Sequence, residues 1–376
     1  MPAKKNIKVK NLRSTRTGNQ WLKFPQKSRK TSKSKKRVFY FIFAGLVFAA
    51  LTFFFSTKIY QFIGVTTVSA LKNGGVETDG SILNGENVNI AIVHVEDLSK
   101  KDSPVNHFYL ANINLNDYKY RIYDFPVQEE FKAYLKDERL MLHDLYKVGN
   151  LDGRIFEDYL KQFVLRQFAL GIDGYVVVDD SGYSKIKDSI GGTINYDDLS
   201  SIVRIKNTLK IPTLMATFNE NAHTNFSWYD GVKFLSFIRS TSENSSYYKS
   251  VSKYALTDVT VWDKIWQEQY IDTGILKEQK KVLIINASQN PKIPGLASWG
   301  ARVAENFGMG ILDMQNALAE FDENMIITSN AELFSAKEIE SAFDIEKVHY
   351  VNDYLNRYDI NPLIKNADIT LILRGF

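Results

Sequence analysis

The chain has 376 residues, 44% of them hydrophobic and 24% charged, which allows one large or two ordinary globular domains once the first sixty-odd residues are set aside. The formal net charge of +4 is unevenly spread, because residues 1–37 hold fourteen Lys or Arg and no Asp or Glu, leaving 33 basic against 43 acidic residues in the remainder. An acidic body behind a basic tail argues against a nucleic-acid-binding enzyme, and the absence of cysteine excludes a disulfide framework, a thiolate metal site and a cysteine nucleophile.

After the tail, Val38 to Phe55 reads VFYFIFAGLVFAALTFFF without a charge, and the apolar character resumes after Lys58 through Ile59, Tyr60, Phe62 and Ile63. About twenty apolar residues cross a bilayer core, so residues 38–63 are predicted to be a single transmembrane helix. Lys33, Lys35, Lys36 and Arg37 precede the run and only Lys58 follows it closely. The positive-inside rule therefore places the N-terminus in the cytoplasm and the bulk of the chain outside the cell membrane. A cleaved signal peptide is the competing reading, but the small residues Val68-Ser69-Ala70 lie too far beyond an apolar run that is itself too long. The tail, residues 1–37, then retains the N-terminus and touches anionic lipid.

Residues 64–87, with Gly74-Gly75, Gly80, Gly85 and many Ser, Thr and Asn, read as a linker. The folded body starts at Val88 with three β-rich runs, 88–95, 108–115 and 118–125, the last two separated by Asn116-Asp117 as in a tight hairpin. Helical spacing is expected over 128–146 and 154–170, where Phe156, Tyr159, Leu160, Phe163, Val164 and Phe168 form one stripe. Tyr175 to Val178 is a strand, a helix starts at Asp179-Asp180-Ser181, and Gly191-Gly192 ends it, which together suggest a βαβ-like unit. A first domain over 88–262, a charged linker over 263–281 and a smaller domain over 282–376 follow. In the last, strands are expected at 282–285, 324–327 and 369–373 and helices at 295–307 and 336–343. The fold class is α/β, with a central mixed sheet in the first domain.

The order and punctuation of these elements resemble the LytR-CpsA-Psr (LCP) family of bacterial cell-envelope enzymes with a LytR-type C-terminal domain. The resemblance rests on Tyr175 to Thr193 (YVVVDDSGYSKIKDSIGGT), Gly231 to Arg239 (GVKFLSFIR), Val282 to Ala287, Gly295-Leu296-Ala297, Gly308 to Gly310 and Ala367-Asp368-Ile369. It implies transfer of a glycopolymer from a polyprenyl pyrophosphate carrier to peptidoglycan, with Mg²⁺ or a similar ion.

Breaking a phosphoanhydride is mainly a problem of charge, met by carboxylates on the metal and Arg or Lys around the phosphates. Where the resemblance implies Arg and Asp before the second strand, this chain has Pro104 and Asn106, and for Pro-Arg-Asp after the third strand it has Pro126-Val127-Gln128. Neither Val127 nor Gln128 supplies the lost charge. The retained candidates are Arg239 as the catalytic residue, Arg239, Lys249 and Lys253 for the phosphates or lipid carrier, the two lysines expected one helical turn apart, and Asp97 for the metal. A solvated helix face is the alternative for the lysines and a solvated loop for Asp97. His94, His107, His143, His223 and His349 show no ligand spacing and read as structural or surface residues. Gly191-Gly192 lacks the Lys-Ser/Thr of a nucleotide loop and reads as a helix stop.

Three functions remain open: a degenerate relative that binds a lipid-linked or wall glycopolymer, an active Mg-dependent transferase, and an envelope scaffold acting through aromatic anchors such as Trp299, Phe307 or Tyr350.

Overall fold

Val, Ile, Tyr and Phe alternate through the first half of the folded body, a pattern that suits pleated, half-buried surfaces, and they pair there into a six-stranded sheet. A computed structural model describes residue 83 and residues 86–134, 139–151, 155–190, 211–241, 246–288, 293–345, 348–354 and 362–375. All belong to one unit, Lys58–Phe376. The expected membrane span at 38–63, the basic tail and the Gly191-Gly192 turn lie outside the described residues. Among the described residues no helix is long and apolar enough to cross a membrane.

The first sheet is built from β1 (Asn87–Val95), β2 (Val105–Asn114), β3 (Lys119–Phe125), β6 (Gly174–Asp179), β7 (Ala222–Thr224) and β8 (Ser246–Ser250), in the order β7-β6-β1-β2-β3-β8. β1 is parallel to β6 and β3 to β8, while β2 runs antiparallel to both its neighbours. The carboxyl ends of β1, β3, β6 and β8 therefore share one edge, termed the upper edge. The hairpin expected at Asn116-Asp117 forms, with Asn114 Oδ1 accepting the Asp117 N–H at 2.7 Å and Tyr118 in the left-handed region.

Two sequence expectations change in this half. Residues 128–146 are not a long helix but a small hairpin, β4 (Glu130–Lys132) with β5 (Arg139–Met141), followed by a 3₁₀ turn and the one-turn helix α1 (Leu145–Gly149). The reason is local period: Phe131 is buried between exposed Glu130 and Lys132, an alternation that fits a strand. Second, the described residues beyond β6 form α3 (Asp180–Ile190) and α4 (Ile211–Asn221), and the next strand, β7, runs antiparallel to β6 instead of completing a βαβ unit.

Each face of the sheet is packed. The stripe of α2 (Phe156–Phe168) lies on one side with Trp262 and Trp266 of α7 (Val259–Gln269), around Val93, Phe108, Tyr123 and Phe125. The other side meets Phe237 and Ile238 of α5 (Trp228–Ser240). α5 begins at a capping box in which Ser227 Oγ accepts the Asp230 N–H and Asp230 Oδ2 accepts the Ser227 N–H.

The segment 263–281, expected as a linker, is helical. It continues α7 after the short α6 (Lys253–Thr257), adds α8 (Thr273–Glu278), and places Trp266 at full burial. The tryptophan that makes this segment cohere, Trp266, also makes it core. The second sheet then follows in the order β10-β9-β13-β11-β12: β9 (Lys281–Asn286), β10 (Gly310–Asn316), β11 (Met325–Thr328), β12 (Val348–Tyr350) and β13 (Ile369–Leu373). It carries α9 (Leu296–Asn306), α10 (Phe334–Ala342) and the one-turn α11 (Val351–Tyr354). β10 and β12 are additions to the sequence reading; both are edge strands whose half-exposed residues blur the apolar alternation. Of the proposed aromatic anchors, Trp299 and Phe307 are buried and only Tyr350 is exposed, which leaves the scaffold reading one anchor of three.

The two sheets are joined through the end of α2. Trp266 Nε1 donates to Phe168 O, Trp299 Nε1 to Leu165 O, Arg302 Nη1 to Gln167 O and Asn306 Nδ2 to Ala169 O.

Candidate functional site

In open α/β sheets ligands gather outside the carboxyl ends of the strands, and that is where this chain concentrates its polar groups. β1 runs into Glu96 and Asp97, β6 into Asp179 and Asp180, and β2 enters beside them at Val105. The pairing of β1 and β2 slips here: His94 faces His107, whereas Val95 faces Val105. The extra residue on β2 is Asn106, a β-bulge that lets Val105 point into the core while Asn106 and His107 turn toward His94.

The result is a compact polar and aromatic cluster. His94 Nε2 lies 2.8 Å from Asp180 Oδ1, at ion-pair length but outside hydrogen-bond angles, and Asn106 Nδ2 donates to the same oxygen at 3.3 Å. The His107 ring stacks on His94 at 5.6 Å and on Tyr109 at 5.8 Å, and Tyr183 of α3 closes the other side of His94 at 5.0 Å. Burial lowers the His94 pKa, and the neighbouring Asp180 carboxylate only partly opposes that shift. Asp179 ties the strand end to the helix: its Oδ1 accepts the Gly182 N–H at 2.7 Å and its Oδ2 the Leu98 N–H at 3.5 Å.

The residues expected from the sequence are placed differently. Asp97 shapes its own turn: Oδ1 accepts from Ser99 Oγ and N, Oδ2 meets Lys100 Nζ at 3.1 Å, and these contacts hold its carboxyl down at about 2. Both oxygens are thus engaged within its own turn, and no group of three or more His, Asp or Glu able to hold a metal ion occurs among the described residues.

Arg239 sits exposed in the last turn of α5, and that helix is pinned to the lower edge. Lys233 Nζ donates to Leu83 O just before β1, and Phe237 stacks on Tyr118 of the β2–β3 turn at 6.3 Å. The length of β1, roughly 30 Å at 3.3 Å per residue, separates Arg239 from Asp97. Lys249 and Lys253 do reach the upper edge, though not on one helix. Lys249 belongs to β8, opposite Tyr123, and Lys253 opens α6 because Ser252 caps that helix by accepting the Ala255 N–H. β8 lies three strands from β1, roughly 14 Å across the sheet, so the lysines and Asp97 do not converge either.

Asn106 and Gln128, where the resemblance implied charged residues, each engage a neighbour. Asn106 bonds Asp180 as described, and Gln128 Nε2 lies 3.1 Å from His143 Nδ1. His94, His107, Asp180 and Tyr183 form the cluster that sequence reasoning passed over. Only the strand register brings the two histidines together, and no linear spacing announces it.

No family model matches the chain, and no curated protein matches it. Among solved structures, 45% of the chain is similar to TagV of B. subtilis, with 13% identity, 86% of that chain covered and a TM-score of 0.35. The transcriptional regulator yvhJ from Bacillus subtilis is similar over 45% of this chain and 84% of its own, at 14% identity and a TM-score of 0.35. A structure of TagT bound to LI-WTA is similar over 44% of this chain and 78% of its own, at 11% identity and a TM-score of 0.30. Likeness at these scores assigns neither activity nor ligand.

Proposed function

We propose that this chain is a membrane-anchored, extracytoplasmic cell-envelope protein of LytR-CpsA-Psr type that binds a polyprenyl-phosphate-linked or wall glycopolymer without transferring it. The observation that carries the reading is the upper edge of the first sheet. Asn106 and Gln128 stand there in place of charged groups, each engaged with a neighbour, and Arg239 is at the other end of the sheet. A pyrophosphate would meet carboxylates and neutral side chains beside β1 and β6, which disfavours breaking its anhydride bond there. Asn, Asp, His and Tyr side chains are instead well suited to the hydroxyls of a glycan, as both donors and acceptors.

The transferase reading keeps one supporting observation, the His94–Asp180 pair, which has the composition of an acid–base couple. One experiment separates the two. The full chain in detergent is titrated with lipid-linked glycopolymer, with and without Mg²⁺, while bound polymer and released carrier phosphate are both measured. Binding without release, unchanged by the ion, is expected. Mg-dependent release that disappears in Asp180→Asn would establish the transferase instead.

A further inference from the structure

We infer that the free edge formed by β8 and the start of α6 is a docking surface for the anionic headgroups of the bilayer that anchors the chain. The inference rests on the membrane-anchored reading above. Residues 246–257, SYYKSVSKYALT, contain two lysines and no acid. Tyr247 and Lys249 are two apart on an edge strand and so project to the same side, and both are exposed. Where the strand ends, Lys253 and Tyr254 follow at once; Tyr254, 75% exposed, is the most exposed large apolar side chain of the described residues. Lys253 Nζ rides over the Tyr254 ring at 5.6 Å.

Neither Lys249 nor Lys253 has a carboxylate at ion-pair distance among the described residues. The acids on the elements around them are engaged elsewhere: Asp124 accepts the Tyr248 hydroxyl at 2.6 Å, Asp258 holds Thr260, and Glu130 pairs with Arg139 at 3.0 Å. Interleaved tyrosine and lysine, each with an apolar body and a polar tip, is the composition that settles at a headgroup layer, where the cations also meet anionic lipid.

The tether allows the contact. Residues 64–82 separate the expected span from Leu83, which Asp230 and Lys233 hold at the lower edge. Nineteen residues can span at most about 65 Å, more than the height of the sheet, so the β8 edge is within reach of the membrane. A phosphate-bearing polymer shares part of this chemistry, and the arms of the test below separate it from the bilayer.

The test uses the full chain in nanodiscs of phosphatidylcholine, alone or mixed with phosphatidylglycerol, with hydrogen exchange read over residues 246–257. Exchange of the α6 amides is expected to slow about tenfold in the anionic discs only. The slowing should be lost in Lys249→Glu/Lys253→Glu, weakened in Tyr254→Ser, and absent from β9 and β13 throughout. Equal exchange in both lipids, or protection that survives charge reversal, would overturn the inference. So would protection in phosphatidylcholine discs on adding soluble poly(glycerol phosphate), which would make the polymer the occupant. Co-elution of chain and discs is scored separately: a chain that fails to insert sinks the anchored reading itself, whereas insertion without protection sinks only the docking surface.

Discussion

Arg302 of α9 holds Asp263 of α7 with a single nitrogen between both carboxylate oxygens, at 2.6 and 2.9 Å, and does so almost out of contact with water. Asn306 Nδ2 adds a bond to the same carboxylate at 2.9 Å, and the Tyr134 ring covers the guanidinium at 4.8 Å. An ion pair this dry is worth little against two apolar groups of the same shape, but removing one partner strands the other. Asp263→Ala should therefore destabilise the folded chain by about 3–5 kcal/mol. Urea unfolding of wild type and variant checks it; a loss under about 1 kcal/mol would mean that the pair is solvated in solution.

A second contact between the halves should respond to pH. Asp173, ahead of β6, and Glu338, on α10, are both pushed up by burial, and Glu338 further by Asp173 and Asp272. Their folded pKa values lie above the unfolded ones, so the native state binds more protons over this interval. Stability should then be greatest in mild acid and should fall as pH rises from the ordinary carboxylate range through the folded Glu338 value. Glu338→Gln should flatten that slope and stabilise the protein at alkaline pH. Melting temperatures across the pH range decide it, and an unchanged slope would remove Glu338 from the account.

His94 should act in the opposite sense. Its folded pKa is depressed, so below about 6.5 the unfolded chain takes up a proton that the native state resists, and stability is lost as pH falls from there toward the folded value. Asp180→Asn removes the carboxylate that opposes the depression and should lower the pKa further. Proton NMR titration of the His94 ring measures this directly; an upward shift in the variant would contradict the geometry.

Gly182 sets the spacing of α3 and α4. A Cβ placed there would lie 2.4 Å from the Asn221 carbonyl oxygen and 3.1 Å from Val178 Cγ2, and backbone cannot step aside as a side-chain tip can. Gly182→Ala should cost about 1–3 kcal/mol and accelerate hydrogen exchange in α3. Because Gly182 also donates to Asp179, the Tyr183 packing on His94 should loosen with it.

The sequence was most informative where a residue's neighbours in the chain decide its fate. The β1 run, the α2 stripe and β13 emerge from period and composition, because one face of each is buried against a continuous core. It misled where local pattern and pairing compete. Lys249 and Lys253 stand four apart in a polar stretch that suits a helix, but β3 offered an open edge and the first of them became strand. Phe131 supplied an apparent helical repeat and settled into a hairpin. The charged run at 263–281 read as a linker although Trp266 within it is core. The candidate site was the least legible part, since its pairings join β1 to β2 and β1 to α3, and the bulge at Asn106 that aligns them leaves no trace in composition.

The four carbonyls at the end of α2 have a consequence for how this protein can be divided. A helix normally finishes its last carbonyls with its own following residues or with water. Here the donors arrive from α7 and α9, more than ninety residues further along the chain. The second sheet is thus not a detachable module. A fragment that stops at residue 262 would leave these acceptors stranded against an uncovered apolar surface, and a C-terminal region borrowed from another protein would have to bring matching donors with it. Natural variation in this chain should therefore couple the end of α2 to the inner faces of α7 and α9, so that the halves change together and not by exchange.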